Sequence, residues 1–160
     1  MTNQELAATL IALLKAQKKT VTTVESCTGG LIGAAITGIS GSSEIYETGF
    51  ITYSNAAKTA LVGVLPSLFP LYGAVSEEVA FAMAEGGLKT AGADLALSVT
   101  GIAGPTGGSA EKPVGMVCFG LSYMGETRTR TQQFGNIGRD QVRERSVGTA
   151  LKWAIDALSV

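Results

Sequence analysis

The chain has no histidine, and that absence excludes more chemistry than any other feature of its composition. Without imidazole there is no Ser-His-Asp or Cys-His arrangement, no HExxH zinc site and no histidine proton shuttle. Cysteine is almost as scarce. Cys27 and Cys118 stand far apart and form neither a CxxC pair nor a disulfide framework, which reads as free thiols in a reducing cytoplasm. An excess of either charge is missing too: twelve Lys plus Arg face thirteen Asp plus Glu, a net charge of -1. There is thus no electrostatic ground for nucleic acid or an anionic membrane as a partner. Glycine and charged residues interrupt every apolar run well short of the roughly 20 residues that span a bilayer. Lys15, Lys18 and Lys19 follow the first apolar stretch rather than precede it, the reverse of a secretory signal.

What is present is a chain of 160 residues, 46% of them hydrophobic. That length suits one domain over 1–160 with a substantial core, by the prior of roughly 150 residues per domain. No linker, repeat or low-complexity block interrupts it. Thr2-x-x-Glu5 has capping-box spacing, and Leu6, Leu10, Leu13 and Leu14 share a face, predicting a helix over 2–18. Thr20 to Glu25 reads as a strand, Ser26 to Gly30 as a glycine turn and Leu31 to Ile39 as a helix. A second strand is expected over Gly49 to Ser54, followed by a helix capped by Asn55 that runs to Val62. Pro66 to Gly73 reads as a connector. Ser76 with Glu77 and Glu78 opens a further helix to about Ala91. Leu95 to Val99 is a strand, Val114 to Tyr123 and Thr127 to Phe134 form a hairpin with arginines toward solvent, and a long helix starts at Arg139.

The order α-β-α-β-α-α-β-β-β-α predicts a three-layer α/β/α domain whose sheet is not purely parallel. In such sheets ligands bind beyond the carboxyl ends of the strands. Both glycine-rich stretches, Ser26 to Gly30 and Gly101 to Gly108, fall there and can share one site.

Two readings stand for each stretch. The turn through Ser26, Thr28, Gly29 and Gly30 either offers unpaired helix N–H groups to a phosphate or carboxylate, or is an ordinary connection capped by Thr28. The loop with Gly101, Gly104, Gly107 and Gly108 is either a backbone cradle or a mobile surface loop. With histidine absent, a nucleophilic serine needs a lysine of depressed pKa, or a tyrosinate, as its base. Lys58 stands apart from the lysines of the amphipathic helices. It follows Tyr53-Ser54-Asn55 at a strand-helix junction, where a Ser/Tyr/Lys constellation competes with a half-buried tyrosine beside a surface lysine.

The blocks Val24-Glu25-Ser26-Cys27-Thr28-Gly29-Gly30, Gly41-Ser42-Ser43, Gly49 to Lys58 (GFITYSNAAK), Gly73-Ala74-Val75-Ser76, Thr100 to Pro105 (TGIAGP) and Glu111 to Gly115 (EKPVG) resemble the CinA C-terminal-domain family over essentially the whole chain. The resemblance implies a three-layer α/β/α sandwich with a mixed five-stranded sheet. It also implies hydrolysis of the carboxamide of nicotinamide mononucleotide to nicotinate mononucleotide and ammonia, a step of pyridine-nucleotide recycling with no metal or organic cofactor. By motif position it puts the nucleophile on Ser43, with Ser42 and Ser26 as the alternatives, beside Tyr53 and Lys58. In the mechanism this suggests, Lys58, neutral through desolvation, takes the serine proton, and a backbone N–H or Asn55 holds the oxyanion. The substrate's phosphate would lie against a glycine loop formed by Gly29 and Gly30 or by Thr100, Gly101 and Gly104. Ser26 with Thr28 or Thr106 would donate to it, and Arg139 would be an ion partner. The rival reading is a nucleotide-binding or competence- and damage-associated interaction module without hydrolysis. The apolar composition permits a homodimer.

Overall fold

A computed structural model describes residues 1–160. Thr2 closes the expected capping box over α1 (Asn3–Gln17), its hydroxyl accepting from Glu5 N while the Glu5 carboxylate accepts from Thr2 N. The chain then alternates through β1 (Val21–Glu25), α2 (Leu31–Thr37), a one-turn 3-10 segment (Ser42–Glu44), β2 (Phe50–Ile51) and α3 (Asn55–Val62). It continues with α4 (Leu68–Tyr72), α5 (Glu77–Ala91), β3 (Leu95–Gly101), β4 (Met116–Tyr123), β5 (Glu126–Gln133) and α6 (Arg139–Leu158). The sheet order is β2-β1-β3-β4-β5. β1 runs parallel to β2 and β3, whereas β4 is antiparallel to β3 and β5, so the sheet is mixed. With α1, α2 and α6 on one face and α3, α4 and α5 on the other, the domain has the three layers that the element order implies.

Three local readings need correction. The second strand is only two residues long, because Ser54 leaves extended pairing to cap α3, its hydroxyl accepting from Ala57 N at 3.0 Å; Asn55 is the first helical residue, not the cap. The stretch 66–73 is not merely a connector, since it contains α4. Pro70 fits there because the first-turn amides of a helix have no intrahelical acceptor to lose.

The two faces of the sheet are built differently. On one, Val21, Leu95, Leu97, Val99, Val117, Phe119 and Leu121 meet Leu10, Leu14, Ile32, Ile36, Leu151 and Trp153 in the main hydrophobic core. On the other, the strands present Val24, Ser98, Thr100, Gly120 and Ser122, and α5 packs close. Ser98 Oγ donates to Ala80 O at 2.6 Å. A Cβ at Gly120 would lie 2.5 Å from that same carbonyl, so only glycine admits α5 at this depth. The hairpin between β4 and β5 turns through Met124 and Gly125, at φ 55° and 76°, the two-residue geometry with both central residues left-handed. Arg128 and Arg130 are exposed as expected, and the Arg130 guanidinium lies over the Trp153 ring at 4.2 Å.

Candidate active site

The parallel pairing of β1 with β2 and β3 brings three chain segments to one edge. Ser26 N donates to Val99 O at 3.0 Å and Thr52 N to Glu25 O at 2.7 Å, so Ser26 emerges between the ends of β2 and β3. Its hydroxyl meets Lys58, which α3 carries one turn after the Ser54 cap. Lys58 Nζ lies 3.2 Å from Ser26 Oγ and donates to Thr52 O at 3.0 Å. Lys58 is 1% exposed and among the largest fully buried side chains of the protein. Neither ion pair of the molecule includes it. An ammonium buried without a carboxylate is strongly disfavoured, and burial lowers the pKa of Lys58 below its ordinary 10.5. The amine is thereby biased toward the neutral form, with a serine hydroxyl within reach.

The neighbouring groups divide into those that face the pocket and those that build it. Ser26, Cys27, Lys58, Thr100, Gly101 and Ala103 form its floor, and Tyr53, Asn55, Ala74, Val75 and Arg139 its rim, around a volume of about 280 Å³. Arg139, at the start of α6, donates to Gly104 O at 2.9 Å and to Tyr53 Oη at 3.0 Å. Thr100 Oγ1 donates to Ala74 O at 2.9 Å, tying β3 to the segment before α5. The Cys27 thiol, although next to Ser26, is pushed up to about 12 by burial, so it stays protonated at neutral pH and is a poor nucleophile. A larger cleft of about 650 Å³ lies between α6 and the hairpin, lined by Lys19, Tyr123, Arg130 and Trp153. It has more room but no serine with a buried base, and chemistry outweighs volume in choosing between the two.

The turn from β1 into α2 is already occupied. Glu25 is buried at 1% exposure, and its carboxylate accepts from Thr28 Oγ1 at 2.7 Å, Ile32 N at 2.9 Å and Gly33 N at 2.9 Å. These are the amides that a phosphate at this helix start would need. Thr28 donates inward to Glu25, and Gly29 and Gly30 supply the left-handed turn at φ 56° and 106° rather than a cradle. The reading of Thr28, Gly29 and Gly30 as a phosphate pocket is therefore corrected: an internal carboxylate already fills that place.

The model of the CinA C-terminal domain family matches residues 3–158 of the chain. The protein belongs to this family. It is 53% identical over 152 residues to a protein of Enterobacter agglomerans named nicotinamide-nucleotide amidohydrolase PncC, a match covering 94% of this chain and 92% of that one. A protein of the same name from Escherichia coli K12 is 51% identical over 140 residues, 87% of this chain and 84% of that one. The crystal structure of competence/damage inducible protein CihA from Agrobacterium tumefaciens superposes with a TM-score of 0.96 at 44% identity, covering 99% of this chain and 96% of that one. A CinA-like protein of Kosmotoga olearia, 44% identical, matches 97% of this chain but only 37% of its own length. The CinA C-terminal domain is thus found both nearly alone and as part of a longer chain.

Within this family fold, the residues singled out from sequence fall into three groups. Ser26, Tyr53, Asn55, Lys58, Thr100, Gly101 and Arg139 converge on the pocket, and Gly104 lends its carbonyl to Arg139. Thr106 is exposed and outside the lining. Ser43 is not brought to Lys58. It is exposed on the 3-10 turn, next to Glu44, whose carboxylate faces Lys15 of α1. Ile45, two residues on, accepts from Val21 N at the opposite end of β1 from Ser26. Five strand residues at about 3.3 Å each put that end on the order of 15 Å from Ser26. Ser42, the other alternative, is buried in the same turn, and its carbonyl accepts from Ile45 N and Tyr46 N. Sequence reasoning missed two residues that hold the turn after Ser26: Glu25, and Arg143, whose guanidinium donates to Cys27 O at 3.0 Å and to Thr28 O at 3.2 Å. The signals were a carboxylate closing an otherwise uncharged strand and an arginine one turn after Arg139 on the same helix. No group of three or more Cys, Asp and Glu side chains is placed to hold a metal, and no helix is long and apolar enough to cross a membrane.

Proposed function

We propose that this pocket hydrolyses the carboxamide of nicotinamide mononucleotide to nicotinate mononucleotide and ammonia, with Ser26 as nucleophile and Lys58 as general base. The observation that carries the reading is the 3.2 Å approach of a buried, unpaired lysine to a serine hydroxyl. Lys58, with its pKa lowered by burial, takes the Ser26 proton as Oγ attacks the amide carbon. The tetrahedral oxyanion collapses, the C–N bond breaks, and the proton held on Nζ goes to the departing nitrogen, leaving a nicotinoyl ester on Ser26. Water then attacks the ester and gives a proton to Lys58. Collapse releases the acid and returns that proton to Ser26 Oγ. The donation from Nζ to Thr52 O holds the amine so that its lone pair meets the serine. Arg139, on the pocket rim with Tyr53, is the cation suited to the phosphate. The names of the PncC relatives support the choice of substrate.

Release of ammonia from nicotinamide mononucleotide, measured for the wild type, Ser26→Ala and Lys58→Met, tests the reading. Turnover in the wild type and its loss in both variants is expected. Saturable nucleotide binding without ammonia would leave an interaction module instead. Turnover of other carboxamides but not of this nucleotide would move the substrate while keeping the chemistry.

A further inference from the structure

A primary carboxamide presents, along one edge, a carbonyl oxygen that accepts and an N–H that donates, and the side chain that answers both at once is another amide. The pocket contains one. Asn55 lines it together with Ser26 and Lys58. Its side-chain amide makes no hydrogen bond within the protein, because the capping of α3 falls to Ser54, whose hydroxyl accepts from Ala57 N at 3.0 Å. Other polar side chains of the pocket are already held: Thr100 Oγ1 donates to Ala74 O, and Arg139 divides its guanidinium between Gly104 O and Tyr53 Oη. Asn55 and Lys58 are three apart on α3 and so are neighbours on its surface, about 5–6 Å between Cβ atoms. Helical side chains lean toward the N-terminus, and Lys58 does so here, since its Nζ donates to Thr52 O, which precedes the helix. The amine, and the Ser26 hydroxyl 3.2 Å from it, therefore lie beside the first turn of α3. Asn55 is exposed on that turn, and Lys58 is buried beneath it. In a pocket of only about 280 Å³, a carboxamide whose carbon meets Ser26 Oγ has an edge within reach of the Asn55 amide.

We infer that Asn55 is the specificity residue that reads the carboxamide: Nδ2 donates to the substrate carbonyl oxygen, and Oδ1 accepts from the amide N–H on the same edge, closing a pair of hydrogen bonds. This rests on the amidohydrolase reading and deepens it by assigning what separates substrate from product. Hydrolysis puts an oxygen where the nitrogen was, and an ionised carboxylate only accepts. Oδ1 then faces a second acceptor, so one bond of the pair is lost and replaced by repulsion. Asn55 thereby favours the amide that enters over the acid that must leave, by a contact that the acid cannot make.

The test is binding without turnover. In the full chain carrying Ser26→Ala, calorimetry with nicotinamide mononucleotide and with nicotinate mononucleotide gives the two affinities, with Asn55 present and with Asn55→Leu, an apolar side chain of similar size. Loss of two neutral hydrogen bonds corresponds to about 10- to 100-fold, so Asn55→Leu is expected to weaken the amide by that factor and the acid by no more than about 3-fold. With Ser26 intact, kcat/KM for the amide should fall by about 10- to 100-fold as well, whereas the methyl ester of nicotinate mononucleotide, which keeps the carbonyl but has no N–H, should lose less than about 10-fold. Asn55→Ala repeats each measurement without the bulk of leucine and serves if Asn55→Leu does not fold. Equal weakening of both nucleotides in these variants, as a displaced first turn of α3 would cause, or weakening of neither, overturns the assignment. Ser26→Ala separates the two claims: continued ammonia release from it sinks the amidohydrolase reading, whereas an inert Ser26→Ala whose preference between amide and acid is the same with and without Asn55 sinks only this one.

Discussion

The two faces of the sheet share the same strands and do opposite work. Toward α1, α2 and α6, the strands present large aliphatic and aromatic side chains to a continuous core. Toward α3 and α5, they present Ser98, Thr100, Gly120 and Ser122, with only a small cluster of Val24, Val62, Val64, Val79 and Met83 between. Small residues let α5 and the segment before it come close enough for backbone carbonyls to accept from strand hydroxyls, as Ala80 O does from Ser98 and Ala74 O from Thr100. The same closeness excludes water from Lys58. A side chain that would be solvated on most helices is here without a carboxylate and beside a serine. The apolar face supplies the stability that lets the opposite face keep a desolvated base.

Exchanging the properties of the faces tests this division. Lys58→Met should lower turnover by on the order of 1000-fold or more, yet leave the melting temperature unchanged or raised, because a buried amine is replaced by an apolar side chain of similar length. The sign with pH follows from the lowered pKa. Below that value Lys58 is protonated in both states, and the folded protein bears the full penalty of a buried charge. Between it and the unfolded value of about 10.4, only the unfolded chain holds the proton, so wild-type stability rises with pH relative to Lys58→Met. A difference that shrinks or stays flat toward alkaline pH, followed by chemical denaturation, would show that Lys58 is not desolvated. Phe119→Ala, on the apolar face, should cost about 3–5 kcal/mol of stability while the folded fraction keeps its kcat/KM within about 2-fold. A selective loss of kcat there would erase the distinction between the faces. Gly120→Ala forces a Cβ against Ala80 O and is expected to cost about 1–3 kcal/mol, with a matching change in KM as α5 shifts outward. Smallest of all, Thr2→Ala removes half of a capping box remote from both faces and should cost about 1 kcal/mol with no kinetic effect.

How much of this was legible in the sequence depended on whether the deciding interaction was local. α1, α5 and α6 follow from periodicity and from caps a few residues away, and Thr2 with Glu5 and Ser76 with Val79 are indeed the caps. β2 and α4 are short because of their surroundings: one pairs only where β1 ends, and the other is a single turn packed against α5. Lys58 could be singled out by elimination, since a chain without histidine has few bases. Its partner could not be found by nearness in the chain. Ser43 precedes Lys58 closely in sequence, but parallel pairing returns the chain to the far end of β1, where Ser26, 32 positions from Lys58, lies alongside. The glycine turn misled for a related reason. Its pattern is that of an anion site, and only the fold reveals that the Glu25 side chain bends back to become the acceptor.

The most direct measurement of the central claim is ammonia release from nicotinamide mononucleotide by Ser26→Ala and Ser43→Ala, assayed side by side at equal folded concentration. Pairing of Ser26 with the buried Lys58 predicts that Ser26→Ala is inactive and Ser43→Ala turns over within about 3-fold of the wild type, since a solvent-facing substitution far from the pocket leaves the chemistry alone. An active Ser26→Ala beside an inactive Ser43→Ala would contradict it.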